Sequence, residues 1–189
     1  MKITIARQCG SGGHEIGKEL ASRLGLELYD RKRLEEEARK IGKFDENKDF
    51  FREKAVNSLL YSIAVSYGEA NPMEKSFELI KELTHGKPAV IIGRCSGAVY
   101  ENDSNATTIF LHADKDCRIK RVMERDQISE KEASKMVKEV DEKRAPFHKF
   151  CTGKAWEDAS QYQLSIDTGK VSISDAVELI VNYIHAKSV

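Results

Sequence analysis

Five short apolar runs, separated by stretches of helical period, predict an α/β fold: three layers, with a five-stranded parallel sheet between helices. Two further observations shape that prediction. The first run stops at a cluster of glycines and reopens as a helix. The interval between the second and third runs, Asp30 to Lys87, is too long for a simple crossover, so it predicts a helical subdomain over the sheet edge.

The first strand, Ile3–Ala6, is carried by Ile3-Thr4-Ile5 and ends at Gly10-Ser11-Gly12-Gly13. Ile16, Leu20, Ala21 and Leu24 then recur at helical spacing. Strand, glycine turn and helix in this order form a phosphate cradle: backbone N–H groups close around an anion, and the helix N-terminus adds partial positive charge. The candidate cradle is Gly10, Ser11, Gly12, Gly13, His14 and Glu15. Against the phosphate-loop motif G-x-x-x-x-G-K-[ST], Gly13 stands where the lysine belongs, and His14 and Glu15 where the magnesium-binding hydroxyl belongs. A literal match from Gly12 to Gly17-Lys18 is set aside. Glu19 follows it, and Lys18 falls inside the helix opposite Leu20 and Leu24. His14 reads equally as a partly cationic phosphate contact or as a solvent-facing helix residue. The glycines alone also fit an ordinary turn with no ligand.

The second strand, Leu26–Tyr29, ends at Asp30. The helical interval holds Leu34, Ala38 and Ile41, then Val56 to Ile63, then Phe77 to Leu83, and Gly86, Lys87 and Pro88 close it. The third strand, Ala89–Gly93, delivers Arg94 at its end. Open α/β sheets bind ligands there, and a guanidinium can grip a phosphate bidentately or simply make a surface ion pair. After the fourth strand, Thr107–His112, residues Arg118, Arg121 and Arg125 fall within about 60° on one helical face. They point either to an anion or to a solvated charged face shared with Glu124 and Asp126. The next helix opens with a capping box, Ser129 to Glu132, carries Ala133, Met136, Val137 and Val140, and is predicted to end at Pro146. Asp141 and Arg144 share a face near its end and read as an intrahelical ion pair or as site residues. Such a helical hairpin could close as a lid. Trp156 reads as loop packing or as a base-stacking ring. The fifth strand is Gln163–Ile166.

Composition narrows the partners. Lysine plus arginine and aspartate plus glutamate both number 31, so no global field attracts nucleic acid or a membrane. No run approaches the ~18 apolar residues of a membrane span, and no apolar signal region opens the chain. Cys9, Cys95, Cys117 and Cys151 form no C-x-x-C pair, and the histidines show no ligand spacing, so neither a disulfide framework nor a resident metal site is predicted. A cytoplasmic protein with reduced thiols is expected.

The order of parts resembles the nucleoside monophosphate kinases, and most closely a cytidylate kinase-like family, across nearly the whole chain. Gly93-Arg94, Ile109-Phe110-Leu111-His112-Ala113, Arg118 to Arg121, Asp141-x-x-Arg144 and Leu164-Ser165-Ile166-Asp167-Thr168 carry the similarity. The loop Arg7-Gln8-x-Gly10-Ser11-Gly12-Gly13 looks like a divergent branch. The resemblance implies one P-loop kinase domain over 1–189, a helical acceptor subdomain over about 31–87 and an arginine-rich lid over about 118–155. It implies ATP and Mg²⁺ as cofactors, a nucleoside monophosphate or other small phosphate-bearing acceptor, and transfer of the γ-phosphoryl group. Gly10 to Glu15 would hold donor phosphates, Arg94 and Arg144 the acceptor phosphate, and Asp141 the acceptor's sugar or base. Arg118 and Arg121, with Arg125 beside them, would close onto the transferring group, and Asp30 would border the acceptor site, with Arg31 and Arg33 weaker candidates. Where cytidylate kinases carry an acid after Gly-Arg, this chain has Cys95, and Ser11, Glu15 or a water is left to meet magnesium. A kinase of a non-nucleotide metabolite and a binding module without catalysis therefore stand beside the kinase reading.

Overall fold

The computed structural model describes residues 1–54 and 73–187. The expected Val56 to Ile63 segment lies outside them. Strands β1 (Lys2–Arg7), β2 (Glu27–Tyr29), β3 (Ala89–Ile92), β4 (Ala106–His112) and β5 (Leu164–Asp167) form one parallel sheet in the order β2-β3-β1-β4-β5. Each predicted strand is present, displaced by a residue or two at its ends. β1 is central because its Ile3 and Ile5 are fully buried between the two layers of helices. Ile5 pairs with Ile92 on one side and Ile109 on the other, so β1 and β3 reach the same edge together. That edge receives Arg7, Asp30, Arg94, His112 and Asp167, all at or just past the strand ends.

Helix α1 (Gly13–Leu24) and the last helix, α8 (Ile173–Lys187), cover one face; Ile16, Leu20, Val177 and Ile180 meet the sheet there. The other face is covered from the insertion and the long helix. Helices α2 (Arg31–Lys40), α3 (Lys48–Phe51) and α4 (Glu74–Leu83) contribute Leu34, Phe51 and Ile80, and the short α5 (Ser96–Val99) contributes Val99. Helices α6 (Lys115–Asp126) and α7 (Glu130–Thr152) pack as a hairpin through Ile119, Val122, Ala133 and Val137 against Cys9. The capping box of α7 is present: the Ser129 hydroxyl and the Glu132 carboxylate each accept from the other's backbone N–H.

Pro146 does not end α7; the helix runs on to Thr152. Proline forfeits one backbone hydrogen bond in a helix interior. Here burial of Phe147, His148 and Cys151 on the following turns outweighs that loss. Nor do Asp141 and Arg144 pair with each other. Each turns to a separate partner, Arg118 and Glu53 respectively. Trp156 is buried edge-on against Phe110, which also stacks with the Tyr162 and His112 rings, so it packs the loop after α7. No described helix is long and apolar enough to cross a membrane.

Candidate functional site

The glycine loop leaves β1 at Arg7 and enters α1 at Gly13. Gly10 and Gly12 adopt φ of 79° and 77°, a left-handed geometry that glycine takes without strain. Helix α1 has Gly12 at its N-cap and no side chain capping it, so its first N–H groups are left for a ligand. The loop is held from behind. Arg118, buried, donates from Nε to the Ala113 carbonyl (3.0 Å) and from Nη1 to the Cys9 carbonyl (3.2 Å) and Asp141 Oδ2 (2.5 Å). Asp141 Oδ1 accepts from the Cys9 N–H at 2.8 Å. Arg121 donates to the Thr168 hydroxyl (3.0 Å) and carbonyl (2.5 Å), and that hydroxyl lies 3.0 Å from the Ser11 carbonyl it donates to. The Ser11 hydroxyl is turned inward onto the Gln8 carbonyl (2.9 Å), away from the loop's ligand side.

The three arginines predicted on one face therefore divide. Arg118 is not brought into the cleft; it braces the loop. Arg121 ties the loop to the end of β5 and also lines the rim beside Gly10, Gly12 and Glu15. Arg125, exposed and paired with Asp126, reaches the rim beside Gly10, Gly12 and Glu15. Asp30 caps α2 by accepting from the Arg33 N–H at 2.9 Å, and its other oxygen stands 3.8 Å from Nδ1 of His14, which is 58% exposed. Arg31 and Arg33 turn to Glu35 and Glu27. Between these parts opens a cleft of about 500 Å³ lined by Arg7, Gly12, His14, Asp30, Arg125 and Arg144.

Arg7 and Arg144 also line a smaller adjoining pocket, together with Glu53, Gly93, Arg94 and Cys95, and a cluster of cations stands there. Gly93, Arg94 and Cys95 are three consecutive left-handed residues (φ 77°, 57° and 50°), a costly conformation for the last two. Glu53, also left-handed at φ 54°, meets Arg94 Nη1 at 3.4 Å and Arg144 Nε at 3.9 Å. Arg94, only 3% exposed, donates to the Phe50 carbonyl (3.2 Å), and Arg144 donates to the Arg7 carbonyl (3.1 Å). The Nε atoms of Arg94 and Arg144 are buried with no hydrogen-bond partner. Burial lowers the Arg94 pKa, partly offset by Glu53 and deepened by Arg31 and Arg144. Arg7 is pushed down to about 9, by burial first and then by Arg144. One carboxylate for three guanidinium groups leaves the pocket short of negative charge, and orphaned buried donors are costly until an acceptor arrives. Such a pocket is suited to an anion. The sequence reading named Arg94 and Arg144 but missed Arg7 and Glu53. A charged residue closing the central strand was the available signal for Arg7; for Glu53 there was none.

Behind Arg94 lie three side chains that do not belong to the cation cluster. Hydrogen bonding to the Cys151 thiol, and to His148, holds Cys95 down to about 6 despite its burial, whereas Cys151 is pushed up by that bond and by burial. Cys9 is raised, chiefly by burial. Cys95 should therefore be alkylated by iodoacetamide before Cys9 and Cys151, with a rate whose pH midpoint lies below that of an ordinary thiol. Peptide mapping by mass spectrometry after brief labelling checks this. A midpoint near 9 would contradict it.

A parallel sheet in this order, with a glycine cradle at the end of its central strand and an arginine-lined pocket adjoining it, defines a P-loop kinase fold. The chain belongs to the cytidylate kinase-like family, whose model matches residues 2–170. It is 27% identical to a cytidylate kinase of Sulfolobus acidocaldarius over all of this chain and 96% of that one. A solved protein of Eubacterium ventriosum superposes with a TM-score of 0.76 at 29% identity, covering 98% of both chains. Shikimate kinase from Bacteroides thetaiotaomicron shares the fold (TM-score 0.56, 18% identity, 98% of each chain).

Proposed function

We propose that the protein is an ATP-dependent phosphotransferase that moves the γ-phosphoryl group to a small phosphate-bearing acceptor, with nucleoside monophosphates the first class to test. The observation that carries this reading is a pair of adjoining sites: an uncapped glycine cradle forms one wall, and a pocket that shares Arg7 and Arg144 with the cleft and holds Arg94 forms the other, its Arg94 and Arg144 Nε atoms lacking hydrogen-bond partners. Phosphoryl transfer asks the protein mainly for alignment and charge neutralisation, which two such walls provide. The cradle's N–H groups bind the donor phosphates. Arg94 and Arg144 grip the acceptor's phosphate, and Arg125 at the rim adds charge as the cleft fills. Magnesium travels with ATP, keeps several waters and asks for only one or two carboxylates. Glu15 and Asp30 line the cleft and fit that need; the inward-turned Ser11 does not. Arg118 and Asp141 shape the cradle in this reading, so Asp141 is not free to read the acceptor's sugar or base. The missing loop lysine keeps a second reading in view, a binding module without turnover.

ADP formation from Mg-ATP with a panel of nucleoside monophosphates separates the two. Turnover with one of them is expected, and Arg144→Ala is expected to raise the KM for that acceptor about ten- to a hundredfold, the loss of one charged hydrogen bond. ATP binding without turnover on any acceptor of the panel would reject the nucleotide kinase reading.

A further inference from the structure

We infer that Arg7 supplies the positive charge that a lysine supplies in other phosphate loops, and that position 13 is glycine because Arg7 fills the space its side chain would take. The inference rests on the phosphotransferase reading above and names the side chain that serves the donor phosphates. In the frame G-x-x-x-x-G-K, Arg7 takes the first glycine's place, Gly12 the second's, and Gly13 the lysine's. The loop has therefore lost a cation at one end of the motif and gained one at the other.

The two changes compete for one volume. A Cβ on Gly13 would stand 2.7 Å from Arg7 Cγ, 3.0 Å from its Cβ and 3.5 Å from its Cδ, so a side chain leaving position 13 would run directly into the Arg7 stem. At the far end, a Cβ on Gly93 would overlap the Arg7 guanidinium at Nη1. The arginine thus passes beneath the start of α1 and ends beside Arg94, running from the cradle into the adjoining pocket. Its own carbonyl, held by Arg144 at 3.1 Å, fixes where that path begins. A flexible lysine gives a point charge, whereas this guanidinium is a planar fork held by packing on both sides. Lying between donor and acceptor walls, it is placed to meet the phosphoryl group in transit. The shortage of carboxylates around it is what a phosphate-binding cation requires.

Four proteins test the swap: wild type, Arg7→Gly, Gly13→Lys and the double variant Arg7→Gly/Gly13→Lys. Titration calorimetry with ATP and with ADP is the readout, with melting temperature alongside. Arg7→Gly should weaken ATP about ten- to a hundredfold, and ADP less, because a charged contact to the terminal phosphate is gone. Gly13→Lys in the wild-type background should weaken ATP and lower the melting temperature, since two side chains claim one space. In the Arg7→Gly background the same lysine should restore ATP affinity, so its effect changes sign. Arg7→Gln, which keeps most of the stem without the charge, should lose the preference for ATP over ADP at an unchanged melting temperature, and Arg7→Lys should recover part of it; these two carry the test if Arg7→Gly does not fold. An equal effect of Gly13→Lys in both backgrounds, or full ATP affinity in Arg7→Gln, would overturn the inference. The binding readout is independent of turnover. A sign change in a protein that never forms ADP would reject the kinase reading and leave the swap standing. Turnover with additive variants would do the reverse, and no ATP binding by the wild type would reject both.

Discussion

Replacing Arg94 with methionine is expected to cut phosphoryl transfer about 10²- to 10³-fold, the usual cost of removing one preorganised charge from a transfer site, while leaving the melting temperature unchanged or raising it. The two halves of that expectation come from the same geometry. Arg94 is 3% exposed, its Nε has no acceptor, and burial lowers its pKa. Its charge is therefore a burden on the ligand-free protein. Breaking a buried ion pair ordinarily costs about 3–5 kcal/mol, because the abandoned partner is left uncompensated. Glu53 would not be abandoned, since Arg144 stands 3.9 Å from its second oxygen. A methionine keeps the length of the stem and takes the same left-handed backbone at no greater strain than arginine does. Transfer assays and thermal melts on the same preparation check this. A large fall in stability with transfer preserved would show that Arg94 serves the fold and not the acceptor. Strain at Arg94, Cys95 and Glu53 fits the first outcome, because backbone held at such angles is stabilised by its surroundings and collects at working sites.

How far the sequence could be read depends on the distance over which each signal acts. The strands and the glycine loop are local: short apolar runs place all five strands to within a residue or two, and the first stops at the glycines. Arg94 is local in the same way, because a buried strand can deliver its last side chain only to the sheet edge. Pro146 misleads because the local rule is sound but loses to burial of Phe147 and Cys151, which no short window contains. The Arg118–Asp141 pair joins residues 23 apart across a helical hairpin, so helical spacing could group Arg118 with Arg121 and Arg125 without showing that it turns inward. Arg7 is the extreme case. Its setting depends on Gly13 and Gly93, one six residues away and the other far along the chain, and both signal through side chains they lack. Family likeness proposed roles for Arg94 and Arg144 but quoted Arg7 only as part of a divergent loop, with no role, because the motif it compares has a glycine there.

Arg118→Ala provides the opposite signature. Arg118 is held by the carbonyls of Ala113 and Cys9 and by the Asp141 carboxylate, which in turn holds the Cys9 N–H. Alanine leaves two carbonyls without that donor and the half-buried carboxylate with only the Cys9 N–H. Loss of one partner from such a buried charged network costs about 3–5 kcal/mol, enough to remove a large part of a typical domain's stability. The midpoint of urea unfolding should fall accordingly, and ATP affinity with it, because the carbonyl of Arg118 lies directly beneath Gly10 and the side chain fixes the loop at Cys9. A lid arginine would behave differently: its truncation would slow turnover and spare the unfolding midpoint. Removing Asp141 as well distinguishes the network from a simple packing loss. Arg118→Ala/Asp141→Ala should be less destabilised than the sum of the two single variants, since each single change already breaks the shared pair. Additive losses would mean that Arg118 holds the loop through the two carbonyls alone. The contrast with Arg94 then separates two arginines that the family resemblance assigns alike to bound phosphates: on these expectations one stabilises the cradle, and the other is retained at the expense of stability for what binds beside it.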